Sequence, residues 1–211
     1  MGGKNENSQD VVFHSDLNDR LIVTWEEGRK VLNSENTNYS YGGLQEVLNR
    51  GLRQIPIDNI NSVLVLGMGA GSIVDSLRGE FNYQGPITGI EIDPVVIEIA
   101  EKEFTSVGFE NVKWVQADAI EYVAESKDKF DLIVVDIFVD AKVPKGIYDA
   151  SFWRNIESLV ADNKFVLFNA GIDLPEDKMY NFIDVVPESF IYQKKLNVLV
   201  SNTVFIFQKI F

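Results

Sequence analysis

Cysteine is absent, and histidine occurs once, at position 14. Without thiols there is no disulfide, no thiolate metal site and no Cys nucleophile. A single imidazole excludes any paired-His zinc motif, so no metal is expected. Positive charge is the minority sign: 19 Lys and Arg stand against 32 Asp and Glu, a net charge of −13. A surface this acidic repels phosphate backbones and anionic lipid, so neither nucleic acid nor a membrane is expected as a partner. No apolar run approaches the roughly 18 residues of a membrane-spanning helix. Met1–Asp10 is polar and lacks the apolar region of a signal peptide. These absences lead to the expectation of a cytoplasmic chain with a disordered tail over residues 1–10.

What is present is 211 residues, 45% of them apolar, enough for a substantial core. No internal repeat is visible. Residues 11–42 form a β-hairpin region: Val11–Phe13, Arg20–Trp25, a Gly28-containing turn, then Arg29–Leu32. The free edge of such a hairpin could pair between chains, which makes a homodimer an expectation. Over 43–54, Leu44, Val47, Leu48 and Leu52 share one helical face. From residue 62 the rhythm changes. Short apolar runs at Val63–Leu66, Ile87–Ile92, Val112–Val115, Phe130–Phe138 and Lys164–Phe168 alternate with helical patterns near 71–80, 94–106, 119–126, 149–161 and 175–185. That alternation predicts a parallel sheet covered on both faces. Phe190–Leu196 and Thr203–Ile210 are too close together for a crossover helix and predict an antiparallel hairpin. Residues 43–211 thus read as one α/β domain.

Chemistry concentrates where these strands end. Val63–Leu66 runs into Gly67-Met68-Gly69-Ala70-Gly71-Ser72 and then a helix, a turn that lets a ligand approach the backbone. Ser72 stands where the dinucleotide fingerprint needs Gly or Ala, which lowers a pyrophosphate cofactor and raises a simple nucleoside. Glu91, 24 positions after Gly67, ends the second strand, where a carboxylate can accept both ribose hydroxyls. Asp93-Pro94 reads as the cap and first turn of the next helix. Asp118 follows the third strand; it suits an adenine amino group, with the Ala119 amide at a ring nitrogen, and equally suits a helix cap. Asp136 follows the fourth strand and is placed to hold an amine or take its proton. Asp140 and the loop through Pro144 to Tyr148 would line the substrate side. Asp131 reads as a turn residue before its strand, and Trp25, Trp114 and Trp153 as core or interface residues.

The order Gly67-Met68-Gly69-Ala70-Gly71, Gly89-Ile90-Glu91-Ile92-Asp93-Pro94, Gln116-Ala117-Asp118-Ala119 and Asp131-Leu132-Ile133-Val134-Val135-Asp136 resembles spermidine synthases and their relatives with the class I methyltransferase fold. The resemblance implies a Rossmann-like, mostly parallel class I methyltransferase sheet with an antiparallel C-terminal strand and a small N-terminal hairpin extension. It implies that the glycine loop, Glu91, Ile92, Asp118 and Ala119 hold S-adenosylmethionine or its decarboxylated form. Asp136 would accept the proton of the nucleophilic amine, and Tyr41 would belong to the substrate side. Two departures stand out. Ala70 replaces the acid of the aminopropyltransferase loop, and Tyr41-Gly42-Gly43 stands where that family has Tyr-His-Glu. A decarboxylated donor would leave its ammonium without a partner at position 70. Three readings follow: methyl transfer to a small amine-like substrate, aminopropyl transfer in polyamine synthesis, and a non-catalytic nucleoside binder.

Overall fold

Four short strands open the chain as an antiparallel meander: β1 (Val11–Ser15), β2 (Asp19–Glu26), β3 (Arg29–Ser34) and β4 (Asn38–Ser40). The computed structural model describes residues 10–26, 28–34, 38–40, 43–104, 109–139, 142–172, 182–198 and 202–211. After α1 (Gly43–Leu52) comes the alternating part: β5 (Val63–Leu66), α2 (Ser72–Asp75), β6 (Ile87–Glu91), α3 (Pro94–Ile99), β7 (Val112–Gln116), α4 (Ala119–Glu125), β8 (Phe130–Val135), α5 (Ala150–Leu159) and β9 (Val160–Ile172). β10 (Phe190–Val198) and β11 (Asn202–Lys209) close it.

These seven strands form one sheet in the order β10-β11-β9-β8-β5-β6-β7. β5 to β9 are parallel, and β11 inserts antiparallel between β9 and β10. The five parallel strands and the terminal hairpin therefore match the expected class I methyltransferase sheet. All four residues of β5 are buried, as a central strand covered on both faces requires. The chain winds outward from β5 to β7 and then returns to start again at β8. The order reverses between β5 and β8, and open α/β sheets bind ligands outside the carboxyl ends of the strands at such a reversal.

One face of the sheet packs an aromatic cluster, Trp153, Phe168, Phe182, Phe205 and Phe207, with the Trp153 indole donating to the Ile147 carbonyl at 2.9 Å. The other face meets Val47, Leu52, Ile73 and Leu77 of α1, α2 and the turn after α2. The small N-terminal sheet buries Leu21, Val23, Val31 and Leu32 against Val96, Ile99, Ala100 and Phe104. Its β1–β2 turn is fastened to the main domain: the Ser15 hydroxyl and the Asn18 side-chain amide (2.6 Å) both donate to one oxygen of Asp93. Lys30 adds an ion pair with Glu103 at 2.8 Å. Asp93 is buried and ionisable, so losing either donor is costly. Ser15→Ala and Asn18→Ala are each expected to lower stability by roughly 1–2 kcal/mol in urea denaturation. A loss below a few tenths in both variants would show that the turn is not fastened there.

Several sequence expectations are corrected. The expected N-terminal hairpin is present and extended: β1 and β4 pair on either side of β2 and β3 to make four strands, and a two-stranded ribbon alone is marginal. The expected turn between β2 and β3 is present, with Gly28 at φ +83°. β8 ends at Val135 and not at Phe138, because its ladder to β5 stops at Leu66↔Val135. Residues 160 and 161 start β9 and do not end a helix; β-branched Val160 pairs with Phe130. Trp25 is 51% exposed on the small sheet, whereas Trp153 is fully buried. Asp131 lies inside β8, accepting from the Asn61 amide at 2.8 Å and pairing with Lys164 at 2.9 Å. Of the helix expected over 175–185, residues 175–181 lie outside the described residues, and the remainder starts with one short turn that carries Phe182 into the core.

Candidate functional site

The glycine loop leaves β5 and turns under the adjoining strand ends. Gly67 has φ +82°, and a side chain there would collide with the Asp136 carbonyl oxygen. Only glycine allows β5 and β8 to deliver their ends this close together. Met68 is buried and packs against Gly89 of β6, so it offers a ligand only its backbone. Ala70 is 0% exposed and belongs to the apolar cluster of Leu21, Val23, Val31, Leu32, Val96 and Ile99.

Glu91 holds this loop in place. One carboxylate oxygen accepts the Gly69 amide at 3.0 Å and the other the Asp93 amide at 3.1 Å. The residue is 4% exposed. Burial pushes its pKa up, and the hydrogen bonds from Asp93 and Gly69 oppose that rise. Neighbouring Ile92 is 47% exposed, an apolar side chain just beyond the end of β6. Asp93 caps α3 through the Val95 amide at 2.9 Å, as its place before Pro94 leads one to expect.

Asp118 sits at the same rim. The Ala117 amide donates to the Glu91 carbonyl at 3.1 Å, so the end of β7 is tied to the end of β6. Asp118 is half-buried and caps α4, accepting the Ile120 amide at 2.6 Å. Ala119, the first residue of that helix, is half-buried beside it.

Across the reversal point stands Asp136. Its oxygen Oδ1 accepts the side-chain amide of Asn169 at 2.9 Å. Burial pushes its pKa up to about 6, against the lowering effect of Asn169. Tyr148 packs its ring edge-on to Phe168 and Phe182 and donates to the Ala170 carbonyl at 3.3 Å. Burial raises its pKa to about 12, which keeps the hydroxyl protonated. The structure therefore brings Gly67, Gly69, Gly71, Glu91, Ile92, Asp118 and Ala119 to one rim, with Asp136 adjoining. Tyr41 and Asp140, expected on the substrate side, lie outside the described residues.

Residues 57–170, over half of the chain, match the family model described as a methyltransferase domain. The chain belongs to the methyltransferase-domain family. Among curated relatives, this methyltransferase-domain protein is 26% identical over 181 residues to the polyamine aminopropyltransferase of Methanocaldococcus jannaschii, a match covering 82% of this chain and 59% of that protein. It is 32% identical over 99 residues to a probable polyamine aminopropyl transferase of Bifidobacterium longum, covering 47% of this chain and 22% of that protein. It thus spans less than two thirds of the length of these relatives. Among solved structures, a probable spermidine synthase from Corynebacterium glutamicum superposes with a TM-score of 0.76 at 14% identity, over 96% of this chain and 81% of that one. Spermidine synthase from Thermotoga maritima gives 0.72 at 19% identity, over 94% and 72%. The methyltransferase domain and its small N-terminal sheet therefore have a spermidine synthase-like fold.

Sequence reasoning missed Asn169, Asn202 and the donors Ser15 and Asn18. The register that pairs Val135 with Phe168 sets Asn169 beside Asp136 in the next row, a placement that only the folded sheet reveals.

Proposed function

We propose that this chain is the donor-binding domain of a transferase that uses S-adenosylmethionine and moves its methyl group to a small amine-like nucleophile. The observation that supports it is the shared rim: Glu91 braces the glycine loop, Asp118 adjoins it, and Asp136 faces the reversal point. The Glu91 oxygens accept the Gly69 and Asp93 amides, and a carboxylate has about four acceptor sites, which leaves capacity for a ribose hydroxyl. Asp118 and the Ala119 amide would receive the adenine edge, with Ile92 against its ring. When bound, the donor supplies an already activated carbon at its sulfonium. The protein's task is then to orient the partners in line and handle one proton, which falls to Asp136. A carboxyl whose pKa is about 6 is ionised at neutral pH and still a competent base.

The choice of donor rests on Ala70. Its side chain is packed among aliphatic residues, so nothing at that position offers an acid to the ammonium of a decarboxylated donor. The carboxylated donor brings its own counter-charge. Aminopropyl transfer is the second reading, supported by the naming of the relatives that match most of the chain. Calorimetric titration with both donors and both products separates the two. S-adenosylmethionine is expected to bind at least tenfold more tightly, about 1.4 kcal/mol. A tenfold preference for the decarboxylated form, with methylthioadenosine released in the presence of putrescine, would replace methyl by aminopropyl transfer. Absence of binding by all four compounds would overturn both.

A further inference from the structure

The proton-accepting carboxylate has a dedicated support. Asn169 lies on β9, one residue beyond the Val135↔Phe168 pair, and is 0% exposed. Its Oδ1 accepts two hydrogen bonds, from the Gly171 amide at 3.1 Å and from the Asn202 side-chain amide at 3.2 Å. An asparagine amide can be built either way round, but the Gly171 N–H can only donate, so the atom it meets is the Asn169 oxygen. The Nδ2 group is thereby forced toward Asp136, to which it donates at 2.9 Å. Gly171 reaches this position with φ +80°, and Asn202 does so at an irregularity where β11 shifts register against β9. Two backbone departures thus serve one amide. The donor is also neutral. A lysine or arginine there would cancel the Asp136 charge, whereas an amide orients the carboxylate and leaves its full negative charge for a cationic or protonated acceptor.

We propose that Asn169, locked by Asn202 and the Gly171 amide, is a positioning residue: it commits one oxygen of Asp136 and presents the other to the incoming amine. The role rests on the reading of Asp136 as proton acceptor. The test is a carboxyl and side-chain-amide NMR titration of the full chain, with the Asp136 signal assigned by its loss in Asp136→Asn. In the wild type the Asn169 amide signal is expected to shift with the same midpoint as Asp136, and to stop shifting in Asp136→Asn. Asn169→Leu is expected to raise the Asp136 midpoint by about one pH unit, since a hydrogen bond to the charged form is lost. Asn202→Ala, which does not touch Asp136, is expected to raise it by about half a unit by releasing the Asn169 amide. A merely structural pair would lower stability and leave the midpoint in place, and that result overturns the proposal. If either variant fails to fold, the wild-type amide signal decides: silence through the Asp136 titration overturns the proposal. Should the midpoints move as stated while Asp136→Asn keeps full turnover, the positioning stands and the assignment of Asp136 as proton acceptor falls.

Discussion

Asp136→Asn is expected to make the protein more stable and, at the same time, to disable it. Asp136 has a pKa near 6 in the folded chain against an ordinary value of 3.8, and burial is the cause. With the folded value raised above the unfolded one, the stability linked to this group is fully present below about pH 4 and is lost as pH rises through about 6. At neutral pH the wild type therefore carries a penalty on the order of 1–3 kcal/mol for keeping the carboxylate charged. Asparagine has the same shape, remains neutral, and still accepts the Asn169 amide. Urea denaturation should show the variant and wild type equal near pH 4. The gap should open through pH 6 and hold at pH 7.5. Turnover, read as S-adenosylhomocysteine release over a panel of amines, should fall by about 100-fold or more, the usual worth of a general base. Equal stability at pH 7.5 would remove the pH argument, and undiminished turnover would remove the catalytic one.

Glu91→Ala should have the opposite signature, with loss of both stability and binding. It leaves the Gly69 and Asp93 amides without their acceptor and opens a cavity in a buried spot. Two orphaned donors and the void together are expected to cost about 3–5 kcal/mol. Nucleoside affinity should vanish with the carboxylate, since the loop and the ribose would share the same acceptor. Glu91→Gln keeps the volume and avoids the buried charge, but its NH2 group must face one of the two amides, donor against donor. A smaller loss of about 1–2 kcal/mol is expected, with affinity still sharply reduced. Both quantities come from denaturation and from titration with S-adenosylhomocysteine. Glu91→Ala within 1 kcal/mol of the wild type, with affinity retained, would mean that the loop is held by something else.

Much of this site was legible because its parts are local. A buried strand followed by spaced glycines, an acid at the end of the next strand and an Asp-Pro helix start each declare themselves within ten residues. The sheet was legible because parallel strands covered on both faces are continuous apolar runs. What escaped depends on contacts between distant segments. Asn18 and Asp93 are 75 positions apart, and Asn169 and Asp136 are 33 apart. A hydrogen bond between two such side chains leaves no period in the sequence. The end of β8 was misjudged for a related reason: Ile137 and Phe138 continue the apolar run, but their partner strand has already turned away at Gly67. The start of β9 was misjudged because Val160 and Ala161 also suit the apolar face of a helix.

A continuous line of hydrogen bonds runs from Ser15 and Asn18 through Asp93 to Glu91 and on to Gly69. The small sheet is for that reason not an independent appendage. Anyone grafting a different N-terminal segment onto this scaffold would also have to supply two donors to Asp93. Without them the change made in the N-terminal sheet would be felt at Gly69, in the loop that Glu91 braces.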